Sequence, residues 1–160
     1  MTRVCLVGTE SVDLRFELLS RDTAREALSS YRLAVPYRNT LLVETISIGA
    51  AVSLLNDLNW YLVRFADDAL VLEPSVSETE WLSRSLATAV RDGDVDPAET
   101  GTLLKIYGVA QQGEVTPGEP HRDLVEPMFA QRLTDETPGY DLREVDDTLV
   151  VRVTEAEYSG

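Results

Sequence analysis

A chain of 160 residues is long enough to bury the core of one domain, and its 44% hydrophobic and 26% charged residues exclude a disordered protein. It carries 28 acidic residues against 14 basic ones, which gives a net charge of −14 at neutral pH. The longest apolar run, TISIGAAVSLLN, has 12 residues, whereas a membrane-spanning helix needs about 20, so we expect no membrane partner.

The excess of acidic residues has three competing explanations. The protein could mimic nucleic acid, bind cations or basic partners, or work in a salt-saturated cytoplasm. The acidic residues are dispersed along the chain, whereas a mimic would concentrate them in a stripe, so their distribution favours adaptation to salt. Lys105 is the only lysine beside thirteen arginines, but a GC-rich genome would produce the same bias.

The amino-terminal sequence and the cysteine content indicate a cytoplasmic protein. The first residues, MTRVCLVG, lack both the apolar segment and the cleavage site of a secretory signal. Cys5 is the only cysteine, so an intrachain disulfide cannot form.

The first part of the chain predicts alternating strands and helices. The sequence RVCLVG (3–8) is typical of a short buried strand, and residues 20–31 are typical of a helix. Residues 11–19 suit either a strand or a helix, because their apolar positions alternate but their residue types also favour a helix. Residues 40–47 predict another buried strand, after which Ser47 caps a helix with apolar residues at helical spacing.

Two adjacent aspartates separate the strand-like runs WYLVRF (60–65) and ALVLE (69–73). Asp67 and Asp68 are typical of a turn, because a short carboxylate side chain bonds readily to nearby backbone amides. The pattern therefore predicts a β-hairpin at about 60–73. A metal-binding or acid-catalytic pair is the alternative, and it would require histidine or further carboxylates from elsewhere in the chain.

The same pattern recurs near the carboxyl terminus and predicts a second hairpin at about 140–154. The sequence YLVRFADDALVL (61–72) aligns with YDLREVDDTLVV (140–151), including both aspartate pairs. The spacing is close to half the chain length, which leaves a duplication and two merely similar hairpins as open explanations.

Capping signals between these segments predict two helices. Ser77 and Glu80 form a capping box, which predicts a helix over 77–91, and a second helix is predicted over 96–108. Such a pair resembles a DNA-binding helix-turn-helix. The second helix has only one basic residue, however, and the linker DGDVD would repel phosphates, so we expect no nucleic-acid partner.

The polar segment at about 110–120 is rich in glycine and proline and predicts an exposed loop. Residues 122–133 predict a short ordered element whose type the pattern leaves open. Together the elements predict a single α+β domain over residues 1–160, with a mostly antiparallel sheet, two β-hairpins and three or four packed helices.

The sequence offers few residues for chemistry. It contains no nucleotide-binding, hydrolase or zinc-binding motif, and we expect no catalytic residues, no cofactor and no metal site. His121 is the only histidine, and Cys5 lies in an apolar strand, where a thiol is generally buried and inert. The candidate ligand-binding residues are Gly8, Thr9 and Ser11, which follow the first strand and could donate hydrogen bonds to an anion. Turns of this kind are also common in proteins that bind nothing there.

Four segments, VCLVG, SLLNDLNWYLVRF, EWLSR and TLVVRVTEAE, give the chain a resemblance to an uncharacterised protein family of halophilic archaea, a domain of unknown function. The resemblance extends over nearly the whole chain. It implies a salt-rich cytoplasm, in agreement with the charge, and it implies no activity, cofactor or active-site residue.

Two hypotheses of function follow. The first is a non-catalytic cytoplasmic binding or regulatory module of a halophile that acts through protein contacts, with a protein partner and a homo-oligomer both open. The alternative is a small enzyme or small-ligand binder with a cleft near Gly8–Ser11. A cleft with converging polar groups would favour the alternative.

Overall fold

The computed structural model describes residues 1–111 and 122–160. Within these residues, eight strands form one sheet. The strands are β1 (Thr2–Gly8), β2 (Leu33–Ala34), β3 (Thr40–Thr45), β4 (Ala66–Leu72), β5 (Trp81–Ser83), β6 (Leu103–Gln111), β7 (Arg122–Gln131) and β8 (Asp147–Arg152).

Short helices connect these strands, and in the described part of the chain four of them have seven residues or more. None of the described helices is long and apolar enough to cross a membrane. The helices are α1 (Leu14–Leu19), α2 (Asp22–Leu28), α3 (Ile48–Asp57), α4 (Asn59–Phe65), α5 (Arg84–Asp92) and α6 (Glu155–Ser159), with one 3-10 turn at Pro97–Glu99.

The strands follow the spatial order β2-β3-β1-β4-β5-β8-β6-β7. All neighbouring strands are antiparallel except β5 and β8, which run parallel. This arrangement confirms the predicted α+β class with a mostly antiparallel sheet and about four substantial helices.

The continuous apolar run of β1 is explained by burial on both of its faces. Val4 and Leu6 lie in one core, beneath helices α1 to α5, and Cys5 lies in a second core on the opposite face. The second core also contains Tyr107 of β6 and Leu149 of β8. The sheet therefore curls, so that its second half covers the face opposite helices α1 to α5.

Two contacts show how far the sheet curls. The Lys105 ammonium of β6 donates to Asp68 of β4 at 2.8 Å, although β5 and β8 lie between these strands in the sheet order. The backbone amide of Arg38, just before β3, donates to the carbonyl of Arg122 at the start of β7 at 3.0 Å. The first and last strands thus approach each other and form a half-closed barrel.

A cluster of three charged side chains joins the ends of β7 and β8 to the segment before β5. Glu80 accepts hydrogen bonds from Arg152 Nε at 2.8 Å and from the guanidinium of Arg132, and all three side chains are 17% exposed or less. Burial raises the pKa of Glu80, but the hydrogen bonds and charges of both arginines outweigh it and hold this pKa below its ordinary value. Glu80 therefore stays ionised and anchors the curled half of the sheet.

The predictions for the first part of the chain are largely confirmed. The strands predicted at 3–8 and 40–47 are β1 and β3, and the Ser47 hydroxyl accepts from the Ala50 amide at 3.0 Å as the N-cap of α3. The segment 11–19, which suited either element, contains α1, and the helix predicted after it is α2.

The hairpin predicted at about 60–73 is wrong. The run WYLVRF lies in α4, and Asp67 and Asp68 lie inside strand β4 instead of in a turn. Leu62 is 4% exposed whereas the adjacent Val63 is 71% exposed, which is the pattern of a short helix with one buried face. Short apolar runs fit a strand or a helix equally well, and packing of α4 after α3 decides the outcome.

The hairpin predicted at about 140–154 is also wrong. Regular structure between residues 140 and 154 is confined to β8, and β8 pairs with β5 and β6, not with the residues that precede it. Residues 61–65, which the alignment matched to 140–144, are helical, whereas 140–144 form neither helix nor strand. The similarity between the two segments is therefore not a repeated hairpin.

The helix predicted over 77–91 begins later than its capping signal indicates. The Ser77 hydroxyl accepts from the Glu80 amide at 3.0 Å, but strand β5 follows, and α5 begins only at Arg84 with Ser83 as its N-cap. The predicted end is correct, because Gly93 terminates α5 with a φ of 78°, in the left-handed region that favours glycine.

The helix predicted over 96–108 is wrong. Asp96 caps only the 3-10 turn, and the run LLKIY belongs to β6, so the helix-turn-helix pair does not form. Of the loop predicted at about 110–120, residues 110 and 111 lie in β6 and the remainder lies outside the described residues. The element of open type at 122–133 contains strand β7.

Candidate ligand-binding cleft

A cleft of about 750 Å³ opens where the first and last strands of the curled sheet approach each other. Lys105 and Tyr107 of β6 form its floor, and the end of β1 and the start of β7 form two of its walls. Pockets that bind small molecules commonly enclose about 300–1,000 Å³ and occur in the mouths of β-barrels. The volume of this cleft lies within that range.

One carboxylate oxygen organises the floor. Asp68 Oδ2 accepts hydrogen bonds from Lys105 Nζ and from the Tyr107 hydroxyl, both at 2.8 Å. The side chains of Asp68 and Lys105 are 13% and 20% exposed, and the ammonium lies 5.3 Å from the ring centroid of Tyr107 and 5.9 Å from that of Phe129. We call Asp68, Lys105 and Tyr107 the floor triad.

The protonation states of this region follow from its burial. Burial raises the pKa of Tyr107, and the charge and hydrogen bond of Asp68 raise it further. The phenol therefore stays protonated and acts as the hydrogen-bond donor to Asp68. Burial also raises the pKa of Cys5 to about 12, with an added contribution from Asp68. The thiol therefore stays protonated and is unsuited to act as a nucleophile.

Charged side chains of both signs surround the opening. Arg38, Arg143, Glu10 and Glu126 line the cleft and are exposed. Neither arginine forms an ion pair with another described residue, although the chain has twice as many acidic as basic residues. These side chains are available to a molecule that enters the cleft.

Asn39 fixes the wall where β1 ends. Its Nδ2 donates to the Thr9 carbonyl at 3.0 Å, its Oδ1 accepts from the Leu14 amide at 2.9 Å, and its own carbonyl accepts from the Gly8 amide at 2.9 Å. Its φ of 57° lies in the left-handed region, which asparagine adopts more readily than most residues. A Cβ on Gly8 would lie 2.6 Å from Asn39 Nδ2, so glycine is required for this close approach.

The three candidate residues from the sequence lie at different distances from the cleft. Gly8 lines it, but its amide already donates within the fold. The Thr9 amide donates to a carbonyl of α4 at 2.9 Å, and its hydroxyl donates to Asp67 Oδ1 at 3.2 Å. Ser11 is exposed and does not line the cleft. Ligand binding by this segment stays a prediction, while the floor triad supplies polar groups that the sequence did not reveal.

Three large aromatic residues, two in the run WYLVRF and one in EWLSR, do not line the cleft. Trp60 is 49% exposed on α4, Tyr61 packs on the helical core, and Trp81 packs on the second core. In residues 1–111 and 122–160, no group of three or more His, Cys, Asp or Glu side chains could hold a metal ion. His121 lies outside the described residues.

These features define an α+β protein whose curled, mostly antiparallel sheet opens at one end into a polar cleft. The chain belongs to the family of unknown function DUF5804, whose profile matches residues 2–109. The floor triad lies inside the matched span, whereas β7 and β8 follow it. Comparisons with curated proteins and with solved structures found no match.

Replacing Gly8 with alanine is expected to lower the free energy of unfolding by about 1–3 kcal/mol, because the added methyl group collides with the Asn39 amide. Urea unfolding measures the change. Gly139→Ala is the matched control, since no atom lies within 4 Å of its added Cβ. Equal losses in both variants would contradict the close approach of Gly8 and Asn39.

Replacing Asp68 with asparagine is expected to lower the free energy of unfolding by roughly 1–3 kcal/mol, because the largely buried Lys105 ammonium loses its charged partner. Asp67→Asn is the control, since Asp67 is exposed and its one side-chain hydrogen bond comes from Thr9. We expect that change to stay within about 0.5 kcal/mol in the same urea titration. A turn at these positions would instead tolerate both substitutions.

Proposed function

We propose that the protein is a non-catalytic binding module that takes a small polar molecule in the cleft. The observation that carries the proposal is the floor triad, in which Asp68 holds the Lys105 ammonium and the Tyr107 hydroxyl at 2.8 Å beneath a cleft of about 750 Å³. Polar groups that are fixed in advance require little reordering when a ligand binds, which favours affinity. Cys5 is fully buried and does not line the cleft, so its thiol is not exposed to a molecule bound there.

Protein contacts are the second candidate, and the exposed surface of α4 favours them. Trp60 and Val63 are 49% and 71% exposed, and the Arg64 guanidinium lies 3.8 Å from the ring centroid of Trp60. Tryptophan and arginine dominate binding energy at many protein interfaces. A protein partner or a second copy of the chain would cover this surface, whose residues do not line the cleft.

We further propose that the protein works in the salt-rich cytoplasm of a halophilic archaeon. Its acidic residues are poorly compensated, because ion pairs between described residues engage seven of the 26 acidic side chains in residues 1–111 and 122–160. Uncompensated charge destabilises a compact fold in dilute solution, and salt screens it. The seven are Glu17, Asp22, Glu44, Asp68, Glu80, Asp92 and Asp147.

Equilibrium dialysis of the full chain against a library of low-mass metabolites, read by mass spectrometry, tests the cleft. We expect at least one compound to be retained. Glu126→Trp places a ring at the opening and should abolish retention, whereas Glu136→Trp makes the same change at an exposed position outside the cleft and should preserve it. Absence of any retained compound, or equal retention by both variants, would refute small-molecule binding in the cleft.

Thermal unfolding across a KCl series at constant pH tests the adaptation to salt. The melting temperature is expected to rise continuously up to about 3 M KCl, first by screening and then by strengthened apolar burial. A variant with Glu78→Gln, Asp94→Asn, Asp135→Asn and Glu136→Gln removes four of the exposed charges and should show a smaller rise. A flat or falling melting temperature for the native chain would contradict adaptation to salt and would favour binding of a partner as the explanation of the acidic residues.

A further inference from the structure

The lining of the cleft differs in charge balance from the rest of the chain. Basic residues are outnumbered two to one in the whole chain, 14 against 28, yet three bases face four acids among the described residues that line the cleft. The bases are Arg38, Lys105 and Arg143, and the acids are Glu10, Asp67, Asp123 and Glu126. A cleft with nearly balanced charge in a strongly acidic protein points to a ligand that carries a negative group as well as a positive one.

The arginines of the cleft are also unusual in having no partner in the described part of the chain. Only four arginines there make no ion pair, side-chain hydrogen bond or ring contact with another described residue. Two of them, Arg38 and Arg143, line the cleft, and the others, Arg15 and Arg32, lie outside it. An arginine that is surrounded by excess carboxylate and remains unpaired is available for an anionic group of the ligand.

The floor triad can serve both ends of such a ligand. The Lys105 ammonium has three donors and gives one to Asp68, so its other donors remain for a carboxylate. The Tyr107 hydroxyl donates its proton to Asp68, which leaves the phenolic oxygen as an acceptor for an ammonium group. Asp67 precedes Asp68 in β4, lines the cleft and adds a further negative charge to it.

The same charges disfavour ligands of a single sign. A phosphate, with close to two negative charges, would meet the four carboxylates of the lining, and a polyamine would meet its three bases. Like charges placed together cost several kcal/mol at a binding interface. We infer that the cleft binds a zwitterion of amino-acid type, a free amino acid or short peptide whose carboxylate contacts Lys105, Arg38 and Arg143 and whose ammonium contacts the acidic wall.

This inference rests on the proposed small-molecule site and is tested with defined probes. Isothermal titration of the full chain with the twenty standard L-amino acids and a set of dipeptides identifies the tightest zwitterion. Its N-acetyl derivative lacks the ammonium and its amide lacks the carboxylate, and we expect each to bind at least about tenfold more weakly. Inorganic phosphate is expected not to compete.

A matched pair of double variants locates the site. Arg38→Gln with Arg143→Gln should weaken binding of the same zwitterion by about tenfold or more. Arg15→Gln with Arg32→Gln removes the same charge outside the cleft and should leave the affinity unchanged. Equal effects of both pairs, a derivative that binds as tightly as its parent, or competition by phosphate would overturn the inference.

The two experiments together separate the ligand class from the site. If no zwitterion binds while the metabolite screen retains another compound, the ligand class is wrong and the small-molecule site stands. If neither experiment detects binding, both proposals fail.

Discussion

The hydrogen bonds from Lys105 and Tyr107 to Asp68 depend on the curl of the sheet, and most other features of the molecule follow from that curl. Strands β1 and β4 are apolar on both faces of the sheet, and helices α1 to α5 cover one of these faces. The other face is covered by β6 and β8, which fold over it from the far side of the sheet. Where the two halves meet near the end of β1, the apolar packing gives way to one buried ion pair and a polar cleft.

The elements with strong local signals could be predicted from sequence. The run VCLVG is apolar without interruption and ends at a glycine, which is typical of a short strand buried on both faces, and the Ser47 hydroxyl marks the start of α3. WYLVRF and LLKIY had no such signal. Each is a short apolar run that fits either element, and packing assigned the first to a helix and the second to a strand in the interior of the sheet.

The site was less predictable than the fold because its residues are distant in sequence. Asp68 lies 37 residues from Lys105 and 39 from Tyr107, and no local pattern records such a pairing. The adjacent aspartates predicted a turn because, among residues close in sequence, the only evident partners for their carboxylates are backbone amides. One sequence signal points toward the pairing: the only lysine of the chain lies within an apolar run, where burial of an unpaired ammonium is costly and a carboxylate partner is favoured. Gly8 was singled out for its amide, whereas its importance comes from the side chain of Asn39.

The burial of the floor triad decides what kind of recognition can operate in concentrated salt. At about 1 M salt the Debye length falls to roughly 3 Å, so the exposed charges of Arg38, Arg143 and Glu10 attract a ligand only at contact distance. The Asp68–Lys105 pair is 13% and 20% exposed, and partly buried charges are screened much less. Long-range attraction by the acidic surface is lost in such a solvent, while the hydrogen bonds of the floor keep their strength. For the proposed ligand, the hydrogen bonds of the floor therefore persist in concentrated salt, while the rim charges discriminate between ligands only at contact distance.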